Sequence, residues 1–361
     1  MNVITDWFKR TLADRQMVVL SLLLVLVFLT LALIGDMLAP AIAAVVIAFL
    51  LDGMAQFLRA RGMRNILATT LTFIMFLLIS FVAIVGILPP IISQFGEFFS
   101  QMPSMVTKLQ TTLVALQQNY PEIISPQQLN GLFDQVGDEM IAMGQSVVKS
   151  SVGEIGSLIT IIVYLILVPV MVFFFIKDRD KILAWFADFM PNDVELANEV
   201  WTDVLAKSGD YARGKVYEIL IVGFVSFAAY SIIDLRFAAF LAMLTGLSVI
   251  IPYIGAATVT FPVAIVALAQ WGFGPDLAVA VGVYLVLQAL DGNLLAPLLF
   301  SEVVKLHPNA IILAILFFGG IWGLWGVFFA IPLATVADAV IRAWIKRKRL
   351  LAEAQVSEEK S

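Results

Sequence analysis

The stretch from Ile66 to Leu88, ILATTLTFIMFLLISFVAIVGIL, carries no charged side chain. It exceeds the ~20 residues that an α-helix needs to cross a bilayer. In water it would expose apolar groups on every face. In lipid a helix satisfies its own backbone, and an apolar surface all round is what the solvent demands. Further predominantly apolar runs lie at Met17–Gly35, Met37–Leu51, Ile155–Ile176 and Val216–Ile233, the last with Glu218 inside it. Four further apolar blocks follow at Phe237–Ile251, Ala256–Trp271, Leu277–Phe300 and Ala310–Trp344. Hydrophobic residues make up 61% of the 361 and charged residues 14%, against ~45–50% and ~25% in soluble domains. The sequence predicts an all-α, polytopic helical membrane protein.

The span beginning at Ile66 is expected to stop at Pro89-Pro90, because neither proline can donate a helical hydrogen bond. Met17–Gly35 follows Lys9, Arg10 and Arg15 but is longer than the ~7–15-residue core of a secretory signal. It reads as a retained first span. Met37–Leu51 is short and interrupted by Pro40, which suggests tilt or a partly re-entrant path. Pro169 is expected to kink the span Ile155–Ile176.

Lysine and arginine near span ends set the direction of insertion. Arg59, Arg61 and Arg64 after the second segment, and Lys346–Arg349 with Arg342 in the tail, join the N-terminal cluster on the cytoplasmic side. Residues 91–154 hold two lysines against six acids, which suits the opposite side. The chain must then cross an odd number of times after Asp234. Either one of the four C-terminal blocks is re-entrant, or Ala310–Trp344 folds back as a hairpin. About eight spans result, with ten as the alternative. The expected organisation is spans one to three in 1–90, an outer helical insertion in 91–154, a fourth span in 155–176, a cytoplasmic amphipathic segment in 177–215, a transmembrane core in 216–345 and a cytoplasmic tail in 346–361.

The two insertions carry helical patterns. Val106, Leu109, Leu113 and Leu116 follow 3-4-3 spacing, and Ser125-Pro126-Gln127-Gln128 resembles a capped helix start whose stripe continues to Met143. Asn192 with Glu195 opens a second pattern that runs through Trp201 to Leu205. Packing against one another or lying at the membrane surface accounts for these helices.

Chemistry within the membrane concentrates at Gln288-Ala-Leu-Asp291-Gly292-Asn293. A carboxylate at the bilayer centre costs about 2.5–3.5 kcal/mol, so Asp291 is either functional or paired with a base or a helix end. Gly292, Asn293 and Pro297 suggest a locally opened helix whose freed carbonyls line a polar cavity, with Gln288 and Asn293 as further binding groups. Glu218 follows Arg213 and Lys215, which read as snorkelling anchors; it either salt-bridges to one of them or faces a cavity. Pro252, Tyr253 and Gly255 form a tight turn or the break of a discontinuous helix, with the Tyr253 hydroxyl as a binding candidate. Gly319, Gly320 and Gly323 have the small-residue spacing of close helix packing. Glu302, Lys305 and His307 read as a solvated loop.

With no cysteine and one histidine, disulfides, thiolate sites and multi-histidine zinc sites are excluded. No H-E-x-x-H or G-x-x-x-x-G-K-[ST] occurs, so zinc proteolysis and nucleotide-driven pumping lack their motifs. No cofactor is called for and no nucleic-acid partner is expected.

The segments Tyr211–Lys215 with Glu218, Ile251–Gly255, Gln288–Pro297, Ser301–Pro308, Phe318–Pro332 and, less sharply, Leu167–Asp178 resemble the autoinducer-2 exporter family, in its PerM-type permease branch. The resemblance covers nearly the whole chain. It implies a bacterial inner-membrane transport protein of about eight spans that assembles as a homo-oligomer. Members of that family are implicated in export of a quorum-sensing signal, and others resemble sodium(lithium)/proton antiporters. Three functions stand at this point: a non-ATP permease exporting a small polar solute, a cation/proton antiporter, or a membrane scaffold for envelope partners.

Overall fold

A computed structural model of the protein describes residues 15–119, 155–188, 195–300 and 306–358. All its regular elements are helices: α1 (Arg15–Ala60), α2 (Asn65–Val82), α3 (Leu88–Asn119), α4 (Ile155–Lys177), α5 (Arg179–Asp188), α6 (Glu195–Ile232), α7 (Ala238–Ser248), α8 (Ile254–Trp271), α9 (Pro275–Leu290), α10 (Ala296–Phe300) and α11 (Pro308–Glu358). Two five-residue π-helical turns, Ala83–Ile87 and Asp291–Leu295, join α2 to α3 and α9 to α10. Six helical segments among the described residues are long and apolar enough to cross a membrane: Met37–Ala60, Asn65–Thr112, Gly209–Ile232, Ile254–Trp271, Pro275–Phe300 and Trp325–Arg342. Shorter apolar helices occupy Val163–Lys177, Ala238–Ser248 and Pro308–Gly323. The polytopic helical class expected from composition is the class observed.

Three local expectations need correction. The helix begun at Asn65 does not stop at Pro89-Pro90 but continues to Asn119. A proline in a regular helix removes one N–H and crowds the carbonyl four residues back. Here the Leu88 N–H reaches back five residues to the Ala83 carbonyl, and the wider turn precedes the proline pair. The same device recurs at Asp291–Leu295, two residues before Pro297, where the Ala296 N–H bonds the Asp291 carbonyl. The helix around Gly292 is therefore widened rather than opened. Finally, the span expected at Val216–Ile233 is the second half of one helix, α6, that already begins at Glu195. The Ser125–Met143 pattern and Asn192 lie outside the described residues.

The chain folds into two compact units built from interleaved segments. One comprises 1–74, 166–214 and 300–361; the other comprises 75–165 and 215–299. In the first, α1 bends at Ile34, beside Gly35 and ahead of Pro40, and Gly35 lies next to the Trp322 indole. Asp52 is buried, accepting from Gln56 Nε2 at 2.8 Å and pairing with Arg179 at 3.1 Å. Thr69, Thr72, Val172 and Ile176 are also buried in this unit. Within α11 the chain reverses at Gly323 (φ 56°, ψ −133°), a conformation costly for residues with a Cβ. Beyond it Gly326 comes back against the Phe318 carbonyl. Ala310–Trp344 thus folds back on itself at Gly323, one of the two arrangements left open by the sequence.

In the second unit, Phe98, Met102 and Met105 of α3 pack with Phe237, Phe240 and Leu241 around α7, and with Val259, Val263 and Val266 of α8. Val106 joins the buried set, as its helical spacing predicted. Phe95, Phe98, Phe99 and Phe240 meet at ring-centroid distances of 4.7–5.5 Å, mostly edge to face. The turn before α7 places Asp234 and Phe237 at positive φ. Gln270 stitches it, accepting from the Arg236 N–H and donating to the Asp234 carbonyl, each at 2.8 Å. At 11 residues α7 is about 16 Å long, too short for a ~30 Å hydrocarbon core. It returns alongside α6, with Gly246 packed on Gly223, and reverses through residues 249–253 into α8.

Candidate functional site

The reversal between α7 and α8 sits over a charged cluster in the second unit. Lys215 and Glu218, one helical turn apart on α6, are each 3% exposed. The Lys215 ammonium donates to Glu218 Oε2 at 2.5 Å and to the Val249 carbonyl at 2.9 Å. Val249 closes the C-terminal end of α7, where unpaired carbonyls concentrate negative partial charge. Lys215 thus neutralises a carboxylate and a helix end together. Lys108 does a similar service at the far end of α8, donating to the Ala269 carbonyl.

The Asp291 carboxyl adjoins that of Glu218 and lies within the field of Lys215. The cluster therefore holds two carboxyl groups and one ammonium. Asp291 Oδ1 is buried and receives no hydrogen bond from the described residues. Gln288 Nε2, one turn back on α9, is likewise buried without an acceptor. Tyr284 continues the same face. Its hydroxyl donates to the Ala256 carbonyl at 2.5 Å and lies beside Thr260 and Gln288. Residues 284 and 288 of α9 and residue 291, the first of the π turn that continues it, fall on one stripe by helical spacing.

Of the candidates named from the sequence, Glu218 and Asp291 lie side by side, and Gln288 precedes Asp291 by one turn. Asn293 points elsewhere: its Nδ2 donates to the Ala289 carbonyl at 2.8 Å, filling the acceptor that its own backbone would use in a regular helix. That local bond, with Gly292 beside it, accounts for the π turn. Tyr253 is 65% exposed, with φ at 64°, at the tip of the reversal. Pro252 lies in the same reversal, and Gly255 opens α8 beneath it. Pro169 sits inside an uninterrupted α4. Gly319 faces Val327, Gly320 faces open space, and Gly323 is the reversal itself. His307 directly precedes α11 and caps that helix, its Nδ1 accepting from the Asn309 N–H at 3.2 Å; Glu302 and Lys305 lie outside the described residues.

Two participants escaped the sequence reading. Lys215 reads there as an interfacial anchor, yet it is buried. Tyr284 sits four residues before Gln288 and seven before Asp291, a spacing that could have singled it out. Among the described residues no group of three or more His, Cys, Asp or Glu could hold a metal ion.

Six long apolar helices, a buried ion pair and, among the described residues, an unmatched carboxylate oxygen and amide are those of a multi-pass helical membrane protein. The profile described as "AI-2E family transporter" matches residues 19–346, and the chain belongs to that family. It is 40% identical over 344 residues to "Putative permease PerM" of Escherichia coli (strain K12), covering 95% of this chain and 98% of that one. More distant similarity extends to "Putative transport protein YrrI" of Bacillus subtilis (22% identity; 86% and 87% covered) and to a "Putative transport protein" of Thermotoga maritima (24%; 94% and 97%). These relatives are permeases and transport proteins by name, not enzymes.

Proposed function

We propose that this protein is a secondary transporter that exports a small polar organic solute, with Lys215, Glu218, Gln288 and Asp291 forming the site the solute contacts. The carrying observation is the buried Lys215–Glu218 pair beside a second carboxyl group. A buried ion pair adds little stability over apolar residues of the same size, so its presence at membrane depth is better explained by use than by folding. Unfilled hydrogen-bonding capacity at Asp291 and Gln288 supplies an acceptor and a donor one turn apart for a polar ligand. The turn at 249–253, held through the Val249 carbonyl, supplies a nearby element able to respond when Lys215 changes partners. The absence of a phosphate-binding motif favours an ion or solute gradient as the energy source. The basic N-terminal segment, loop and tail favour an inner-membrane placement with both termini in the cytoplasm, and assembly with further copies is what the family resemblance implies.

An untargeted comparison of external metabolites from cells with and without the protein identifies the solute. Efflux of that solute from proteoliposomes then tests the site. Asp291→Asn reduces initial efflux at least tenfold while the protein still inserts and folds; wild-type efflux from this variant removes the site from consideration. A second reading has its own support, since one ammonium for two carboxyl groups leaves room for a proton or monovalent cation. In that case sodium or lithium added to inverted vesicles elicits proton movement, and Asp291→Asn abolishes it.

A further inference from the structure

Four cations that have no carboxylate partner among the described residues gather at one end of the first unit. Arg59 lies in the last turn of α1, Arg61 and Arg64 lie in the turn that follows, and Lys177 ends α4. The elements meet there: the Arg59 guanidinium donates to Thr69 Oγ1 of α2 and to the Ile176 carbonyl of α4, each at 3.4 Å. Neighbouring acids are already engaged, Asp52 by Arg179 and Asp178 by Lys181. Among the described residues no acid pairs with Arg59, Arg61, Arg64 or Lys177.

Helix electrostatics explains only half of this set. Arg59 and Lys177 stand at helix C-termini, where cations are favoured. Arg64 stands at the opposite kind of end: its carbonyl accepts the Ala68 N–H at 3.0 Å, so it opens α2, whose first turn holds no acid. A cation beside the positive end of a helix is unfavourable until an anion joins them. The Arg59 Nε is also buried and without an acceptor among the described residues.

The surroundings say what kind of anion. The Arg61 guanidinium lies 4.2 Å over the exposed Phe57 ring, and the Lys177 ammonium lies 5.6 Å from the exposed Phe174 ring. Ile66, Leu67 and Leu71 continue the apolar surface along α2 from the cationic end. In a membrane protein, aromatic rings with cations mark headgroup depth, and exposed aliphatic side chains beyond them face acyl chains. A free anion would use the charges and leave the apolar flank unused. We propose that this cluster binds the phosphate of an anionic phospholipid, with Arg61, Arg64 and Lys177 around the headgroup and the acyl chains along α2.

The test uses full-length protein in nanodiscs containing equal amounts of phosphatidylglycerol and phosphatidylcholine, with retained lipid counted by native mass spectrometry. Phosphatidylglycerol is retained preferentially. The triple variant R61Q/R64Q/K177Q, which leaves Arg59 and its bonds intact, lowers that preference about a hundredfold, roughly fivefold per charge. R61K/R64K keeps most of it. Should the triple variant fail to fold, the wild-type preference still falls with rising salt. Equal retention of the two lipids overturns the proposal, as does a folded triple variant with undiminished preference. So does competition by millimolar inorganic phosphate, which would make the ligand a free anion. Loss of preference only alongside a change in oligomer size would place another copy of the chain over the cluster, and it too would end the lipid assignment.

Discussion

Lys215→Met destabilises the full-length protein by about 3–5 kcal/mol and abolishes transport. Removing one partner of a buried ion pair leaves the other charge stranded, at a cost of that order. Here two carboxyl groups, Glu218 and Asp291, lose their shared cation, and the end of α7 loses the donor to its Val249 carbonyl. The double variant K215M/E218M separates fold from function. Apolar residues of similar volume restore most of the lost stability. Transport stays absent, because the groups assigned to the solute are gone. Thermal unfolding in detergent, followed by tryptophan fluorescence, reads the first effect, and proteoliposome efflux reads the second. A single variant as stable as the wild type would mean that Lys215 is solvated, and a double variant that transports would dismiss the cluster as the site.

Gly255→Val gives the second large effect, and it acts through shape alone. A Cβ at position 255 would lie 1.8 Å from the Ser248 carbonyl oxygen, a backbone atom that cannot swing aside. The reversal between α7 and α8 must open to admit it, with a loss of about 3 kcal/mol or more, at the upper end of overpacking in cores. Tyr284 loses alignment with the Ala256 carbonyl at the same time. The control is Gly282→Ala on α9, where an added Cβ meets nothing within 4 Å. That change stabilises by about 0.5–1 kcal/mol, the ordinary gain of alanine over glycine in a helix. Melting temperatures of the two variants moving in opposite directions confirm the close approach; equal shifts refute it.

The architecture was largely written in the residues that suit lipid. Long charge-free runs can only be helices in a bilayer, and Pro252 with Gly255 marks the one short reversal between apolar blocks that a reader could locate without coordinates. Gly323 was legible as a special position, though its part is to turn the chain rather than to pack it. The π turns were not legible, because a proline says only that a regular helix is disturbed, not whether the chain stops or widens. The site was half visible. Asp291 and Glu218 stood out because carboxylates in apolar runs are costly, but Lys215 looked like any basic residue near a span end. Its burial depends on α7 folding back over it, a contact between residues 34 apart in sequence. Local patterns carry no information about a partner at that separation.

The passage of the chain through Pro89-Pro90 has a consequence for reach. The segment Asn65–Thr112 is a 48-residue helical stretch, about 70 Å long, against a hydrocarbon layer of ~30 Å. Its later half is not a bare rod: Phe98, Met102 and Met105 are packed against α7 and α8, while Ser100, Ser104 and Thr107 lie on the exposed side. One continuous helix thus meets two different neighbours in turn, a charge-free run suited to lipid at its start and a face buried on its own protein further along.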